Sequence, residues 1–462
     1  MLYSIIGGYQ SIIDNFTFTF SHILDSEKLD RLAHKTKFLV RKSKLTPSLF
    51  LHLMFYGVDS ELKSLRQIAA RAQNEHTLQL SKQALDERFS SESIAFVKEL
   101  VAEAIASQVT STLAPNELQL FNTVRIKDST TFGIHESLAG DFEGYGKGGG
   151  RSSKAGVTIQ FEFDIKSNRI LDIDITGAVV NDAKDAVVKK EDIEKGDLVI
   201  RDLGYYSDAV IEQIVKKEAF FISRLYSNSI VWDDIEKGSR LDFEKLYKTM
   251  LATQTDRLDI NVFIGKKKRP LRLIIELMPD DVYQKRIRNR KKEIKTTGKS
   301  VTDQFRFRAH FNLFVCNIPT KECSAQTISK LYRVRWQIEL IFKIWKSTLR
   351  FDKFRKMKVD RFLTTLYLKL LWIFINWKVI SDCRNYFYST TNHLLSIAKS
   401  YQTTLDLKHY IRNEILSHNP ERIKEIVIKL INLLSQNHWV EKRKNRQSLE
   451  EIITLLFCNL TS

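Results

Sequence analysis

The spacing of apolar positions changes period along the chain, and the changes divide it. Residues 1 to about 117 carry apolar side chains at helical spacing, with Pro47 the single proline before Pro115. Within that stretch Ser64-Leu65-Arg66-Gln67 is a capping-box pattern that predicts a helix from Leu65 to about Gln73. A break at Asn74 to Thr77 follows, and Ser81 caps a second helix through Gln83, Ala84, Leu85 and Arg88. Two short helices about a tight break fit a helix-turn-helix, whose second helix enters a major groove, and they equally fit a plain helical bundle.

From about residue 118 the period falls to two. Val157, Ile159, Phe161, Phe163 and Ile165 alternate with Thr158, Gln160, Glu162 and Asp164, which predicts a half-buried strand. Leu171, Ile173 and Ile175 continue as its hairpin partner after a Lys166–Arg169 turn, with Asp172 and Asp174 on the solvated phase. A helix over about Asp182 to Glu194 leads to strands at Leu198–Arg201 and Phe220–Ser223. Strands interleaved with helices predict an α/β core over 118–225. Residues 226–320 read as a β-rich insertion, with strands near Leu258–Ile264, Leu271–Ile275 and Phe305–Val315. Helices return in 321–380 and occupy 381–462.

Composition narrows the partners. The 462 residues exceed what one hydrophobic core usually serves. With 43% hydrophobic residues the chain can bury ample core, and disorder is excluded for most of it. A formal charge of +18 concentrates polyanions, of which nucleic acid is the commonest. A membrane surface is the rival, but the apolar run Leu370 to Trp377 lies between Lys369 and Lys378 and is too short to cross a bilayer. No basic segment leads into an apolar one at the N-terminus, so no secretory signal is read. Cys316, Cys323, Cys383 and Cys458 have no zinc-ligand spacing and read as reduced thiols of a cytoplasmic protein.

Two strands approach an aspartate in the same way. Val124-Arg-Ile126-Lys-Asp128 and Leu198-Val-Ile200-Arg-Asp202 each place a carboxylate in phase with inward apolar residues. Such a group is structurally hydrogen-bonded or compensated by a cation, and two matched approaches point to a shared site. Further on, Tyr332, Arg335, Glu339 and Lys346 fall within a stripe of roughly 60° on one helix, at about 100° per residue. Leu331, Val334, Ile338, Ile341, Phe342 and Trp345 gather beside that stripe. A solvated helix side with an Arg335–Glu339 pair would look the same.

The spacing Tyr332-x2-Arg335-x3-Glu339-x6-Lys346 resembles the Y-R-E-K signature of DDE transposases of the IS-four family. Asp128-Ser-Thr and Asp202-Leu-Gly-Tyr are similar to that family's two aspartate motifs, in the same order, and the resemblance spans about 60–380. It implies an RNase H-like catalytic core with a β-rich insertion, flanked by N-terminal and C-terminal helical regions. It also implies that Asp128, on the first strand, Asp202, at the end of the fourth, and Glu339, on a helix, hold two Mg²⁺ ions, with Mn²⁺ as a substitute. Tyr332, Arg335 and Lys346 would then contact phosphates near the scissile bond. The implied activity is cut-and-paste transposition of an insertion sequence. The implied partners are double-stranded DNA, as inverted-repeat ends and target, and a second copy of the chain, on the bacterial nucleoid. A catalytically inactive DNA-binding descendant and a stand-alone RNase H-like nuclease are the alternatives.

Two further segments bear on partners. Lys285 to Lys299 holds eight basic residues and one acid, among them Arg288, Arg290, Lys291 and Lys292, and reads as a DNA contact or a solvated face. Lys442-Arg443-Lys444-Asn445-Arg446 is a second basic cluster. Gly144 to Gly150 is glycine-rich but lacks the Lys-Ser/Thr ending of a nucleotide-binding loop and reads as a flexible loop near the site.

Overall fold

The computed structural model describes residues 2–56, 64–106, 119–146, 154–167, 169–179, 193–201, 207–225, 229–236, 238–294, 300–391, 393–417 and 419–440. The expected helix over 182–194, the cluster at 442–446, residues 147–150 of the glycine-rich segment, Lys295, Lys299 and Asp202 all lie wholly or mainly outside the described residues. The chain divides into two compact units, one of 1–113, 129–180 and 338–450, the other of 114–128, 181–337 and 451–462.

The first unit joins the N-terminal helices to the C-terminal ones in one core. Thr46 caps helix Pro47–Phe55, with proline at its first position where no amide hydrogen is needed. Ser64 and Gln67 close the expected capping box, and helix Leu65–His76 then ends at Thr77 in the left-handed region (φ 51°). The break thus falls later than the sequence suggested. Ser81 caps helix Lys82–Asp86 as expected. Helices Pro47–Phe55 and Ser91–Ala106 pack on helix Val359–Thr391: the rings of Phe55 and Trp372 lie 5.4 Å apart, and the hydroxyls of Ser93 and Thr364 meet at 2.7 Å. That 33-residue helix is long and apolar enough to cross a membrane, but 89% of its most apolar window is buried within the protein. It also buries Lys369, Lys378 and Arg384, each with an oxygen partner: Lys369 on the carbonyls of Arg350 and Lys353, Lys378 on Asp382 and Arg384 on the Leu395 carbonyl.

In this unit strand β2 (Ala155–Asp164) lies between β3 (Arg169–Gly177) and the second half of β1 (Val124–Ile134). β2 was expected to be half-buried, yet every residue of it is buried. Both of its faces are covered, so it has no solvent phase. One face carries Phe161 and Phe163, which meet Phe342, Trp345 and Trp377. On the other, Thr158 bonds Thr131 at 2.7 Å. On β3, Asp172 is exposed and Asp174 half-buried.

The second unit begins with the first half of β1. It pairs in parallel with β4 (Leu198–Arg201), and β4 in parallel with β5 (Phe220–Arg224). The order β3-β2-β1-β4-β5, antiparallel in its first pair and parallel in its last three strands, is that of an RNase H-like core. The insertion supplies β6 (Val231–Asp234), β7 (Ser239–Arg240), β8 (Arg257–Ile264), β9 (Arg269–Leu277) and β10 (Phe311–Cys316). β10 pairs antiparallel with β5, so these strands extend the core sheet. The expected strand Phe305–Val315 is half helix: Thr302 caps Asp303–Ala309, and the strand starts only at Phe311. A side-chain cap outweighed the alternating aromatics.

Candidate functional site

Asp128 sits in the middle of β1, which continues to Ile134 rather than ending there. The matched approach sequences are neighbours: Val124, Ile126 and Lys127 lie abreast of Leu198, Ile200 and Arg201 in the parallel pair. That register reaches one residue short of Asp128 and of Asp202, the latter outside the described residues. Arg335 donates from Nη1 to Asp128 Oδ2 at 3.0 Å, and the two side chains are only 6% and 14% exposed. A buried carboxylate at that position is therefore charge-compensated from within the same unit.

The signature segment is two helices rather than one. Ala325–Val334 ends at Arg335, whose amide bonds the Tyr332 carbonyl three residues back, and Trp336–Ser347 begins beyond it. Arg335 itself keeps helical backbone angles (φ −51°, ψ −34°), so the boundary is a single tight i→i+3 step. Tyr332 is 2% exposed. Its ring lies 5.1 Å from that of Phe314, with the guanidinium groups of Arg224 and Arg335 each 5.8 Å from its centre. Leu331, Ile341, Phe342 and Trp345 are buried as expected, whereas the side chains of Val334 and Ile338 lie outside the described residues.

Glu339 is exposed and opens onto a shallow cleft of ≈ 490 Å³ in the first unit. Ser129 and Thr130, the residues that follow Asp128, line the same cleft with Lys343, Lys346, Asp352 and Lys353. Lys346 donates to the Thr131 carbonyl at 3.2 Å, and burial pushes its ammonium below the ordinary lysine value. Asp352 is held by a 3.0 Å ion pair with Lys353, on a turn that Lys369 pins through the carbonyls of Arg350 and Lys353. The cleft thus offers carboxylate and hydroxyl oxygens, the donor set of a hard divalent ion, beside three ammonium groups suited to phosphates. Sequence reasoning missed Lys343, Asp352 and Lys353. Lys343 was findable one turn beyond Glu339; Asp352 and Lys353 lie past the helix, where periodicity says nothing.

The basic segment forms helix Asp280–Ile294. Arg288, Arg290, Lys291 and Lys292 are exposed on it. Arg286, expected to face solvent with them, instead turns inward to the carbonyls of Ala309 (3.0 Å) and Phe311 (2.7 Å), and burial lowers its pKa. It fastens the helix to β10. Cys316, Cys323 and Cys383 are buried free thiols.

Residues 119–375, more than half of the chain, match the family model described as the transposase DDE domain. The chain is 28% identical over 396 residues to the transposase of insertion sequence element IS1151 from Clostridium perfringens, covering 82% of this chain and 83% of that one. It is 26% identical over 450 residues to the transposase of IS231E from Bacillus thuringiensis subsp. finitimus, covering 93% and 92%. Among solved structures, a piggyBac transposase in a synaptic complex with hairpin DNA is similar at a TM-score of 0.44 and 8% identity, over 96% of this chain and 85% of that one. With an RNase H-like core and more than half its length under that family model, the chain belongs to the transposase DDE domain family.

Proposed function

We propose that this chain is the DNA transposase of an insertion sequence, cutting the element's inverted-repeat ends and joining them to target DNA as a homodimer on the bacterial nucleoid. The observation that carries the reading is the cleft in which Glu339 and the residues directly after Asp128 meet beside Lys343, Lys346 and Lys353. Asp128, Asp202 and Glu339 are the carboxylates that would hold two divalent ions, Mg²⁺ or Mn²⁺ in its place. Such ions supply activation of the attacking oxygen and charge neutralisation at the leaving one. The oxygen-rich lining fits them.

The protein's own contribution is positional and electrostatic. Arg335 holds the Asp128 carboxylate through Oδ2 and so fixes its orientation. Tyr332 supports that guanidinium from the core, so its part is to position Arg335 rather than to touch phosphate. Lys346 presents an ammonium whose orientation is set by the Thr131 carbonyl, next to the place of a phosphodiester lying along the cleft. Arg288, Arg290, Lys291 and Lys292 form an exposed basic row that suits DNA flanking the cut.

The test is strand cleavage by the purified chain on duplexes that carry the element's terminal repeats. Nicks that leave a 3′-hydroxyl at the repeat boundary, absent with a chelator, are expected. Binding without cutting would make the chain an inactive DNA-binding descendant. Cutting any duplex without regard to the repeats would make it a stand-alone nuclease.

A further inference from the structure

A second cluster of ligand atoms lies in the N-terminal helices of the first unit. His52, Glu75 and His76 each offer one ligand atom, and these atoms all lie within 4.8 Å of one another. His52 comes from helix Pro47–Phe55, and Glu75 and His76 from the last turn of helix Leu65–His76. The cluster therefore joins the bundle to the first member of the helix pair read as a helix-turn-helix.

His52 is 2% exposed. Its Nδ1 meets the Arg412 carbonyl at 3.1 Å, and a carbonyl accepts only, so the proton sits on Nδ1 and Nε2 carries a lone pair. Nε2 is buried with no hydrogen-bond partner among the described residues, 3.5 Å from Glu75 Oε2. A lone pair facing a carboxylate oxygen is repulsive unless a cation lies between them. His76 Nε2 lies 3.9 Å from the same oxygen and is also buried without a hydrogen bond among the described residues.

We propose that His52, Glu75 and His76 bind a transition-metal ion of the zinc type, which fastens helix Leu65–His76 to the bundle. A tetrahedral zinc with bonds of about 2.0–2.2 Å spaces its ligands about 3.3–3.5 Å apart. The His52–Glu75 separation of 3.5 Å meets this, and the His76–Glu75 separation of 3.9 Å, with no pair beyond 4.8 Å, would have to close on the ion. The Nδ1 contact to a backbone carbonyl is the outer-shell bond that metal-ligating histidines usually make. Arg71 pairs with the other oxygen of Glu75 and orients it. Arg412 reaches Oε2 at 3.5 Å and stacks 5.4 Å from the Tyr56 ring, so a metal must displace it toward that ring. The site is distinct from the carboxylate cleft, whose oxygen donors suit harder ions.

The test is a calorimetric titration of the metal-free full chain with Zn²⁺, alongside thermal unfolding with and without the ion. One ion per chain is expected in the wild type and in Glu339→Gln, with a raised midpoint of unfolding. His76→Gln, at a half-exposed position that tolerates the change, should weaken uptake at least about a hundredfold and abolish the midpoint shift. His52→Gln should do the same if circular dichroism shows it folded. Undiminished uptake by His76→Gln, no uptake by the wild type, or uptake lost with Glu339→Gln would each overturn the proposal.

Discussion

The two halves of the signature segment differ in what surrounds them. Tyr332 and Arg335 are buried, one packed on Phe314 and the other bound to Asp128. Glu339 and Lys346, a few residues later, line an open cleft. A one-dimensional spacing joins them, but Tyr332 and Arg335 belong to one compact unit and Glu339 and Lys346 to the other. On the proposed function, the difference assigns the first half to holding the site in place and the second half to its chemistry. Substitutions in the two halves should therefore fail differently: stability first on one side, cleavage alone on the other.

The largest effect is expected at Glu339. Glu339→Gln keeps shape and removes the charge, and should lower strand cleavage by roughly 10³-fold or more while gel-shift affinity for the ends stays unchanged. Loss of both together would make Glu339 structural and erase the contrast. Arg335→Gln comes next. Breaking a buried ion pair costs about 3–5 kcal/mol, so urea unfolding should show that loss together with impaired cleavage. Tyr332→Phe is a sharper probe because it removes only a hydroxyl. Stability should change by no more than about 1 kcal/mol and cleavage by less than about tenfold. A large loss of cleavage at unchanged stability would give Tyr332 a direct contact with DNA.

Two smaller effects concern the cations. Lys346 has its charged form disfavoured by burial in the folded chain. The unfolded chain therefore binds more protons between the lowered value and the ordinary lysine value, and stability from this group rises with pH across that window. Its phosphate contact should fade as pH rises through the lowered value, so the affinity deficit of Lys346→Gln should shrink toward alkaline pH. Replacing Arg288, Arg290, Lys291 and Lys292 with Gln should flatten the slope of log affinity against log salt by about 0.9 per lost contact, on specific and random duplexes alike. An unchanged slope would leave that helix a solvated face.

What was legible in the sequence was local or periodic. The capping box of Ser64 and Gln67 and the cap at Ser81 are bonds within one turn, and both are present. The alternation of Val157 to Ile165 identified a strand, but burial of Thr158, Gln160 and Glu162 depends on the neighbouring strands and was invisible. The paired approaches to Asp128 and Asp202 were visible as a pattern, while their parallel register required the fold. The inward turn of Arg286 and the arrival of Asp352 in the cleft are tertiary events that no spacing encodes.

The central claim is that Asp128, Asp202 and Glu339 serve one divalent-ion centre, and ion occupancy tests it most directly. Mn²⁺ titration followed by electron paramagnetic resonance, with terminal-repeat DNA bound, should give two ions per chain in the wild type. Asp128→Asn, Asp202→Asn and Glu339→Gln should each lose at least one, with DNA still bound. Full occupancy in any one of the three would remove that carboxylate from the centre and contradict the account.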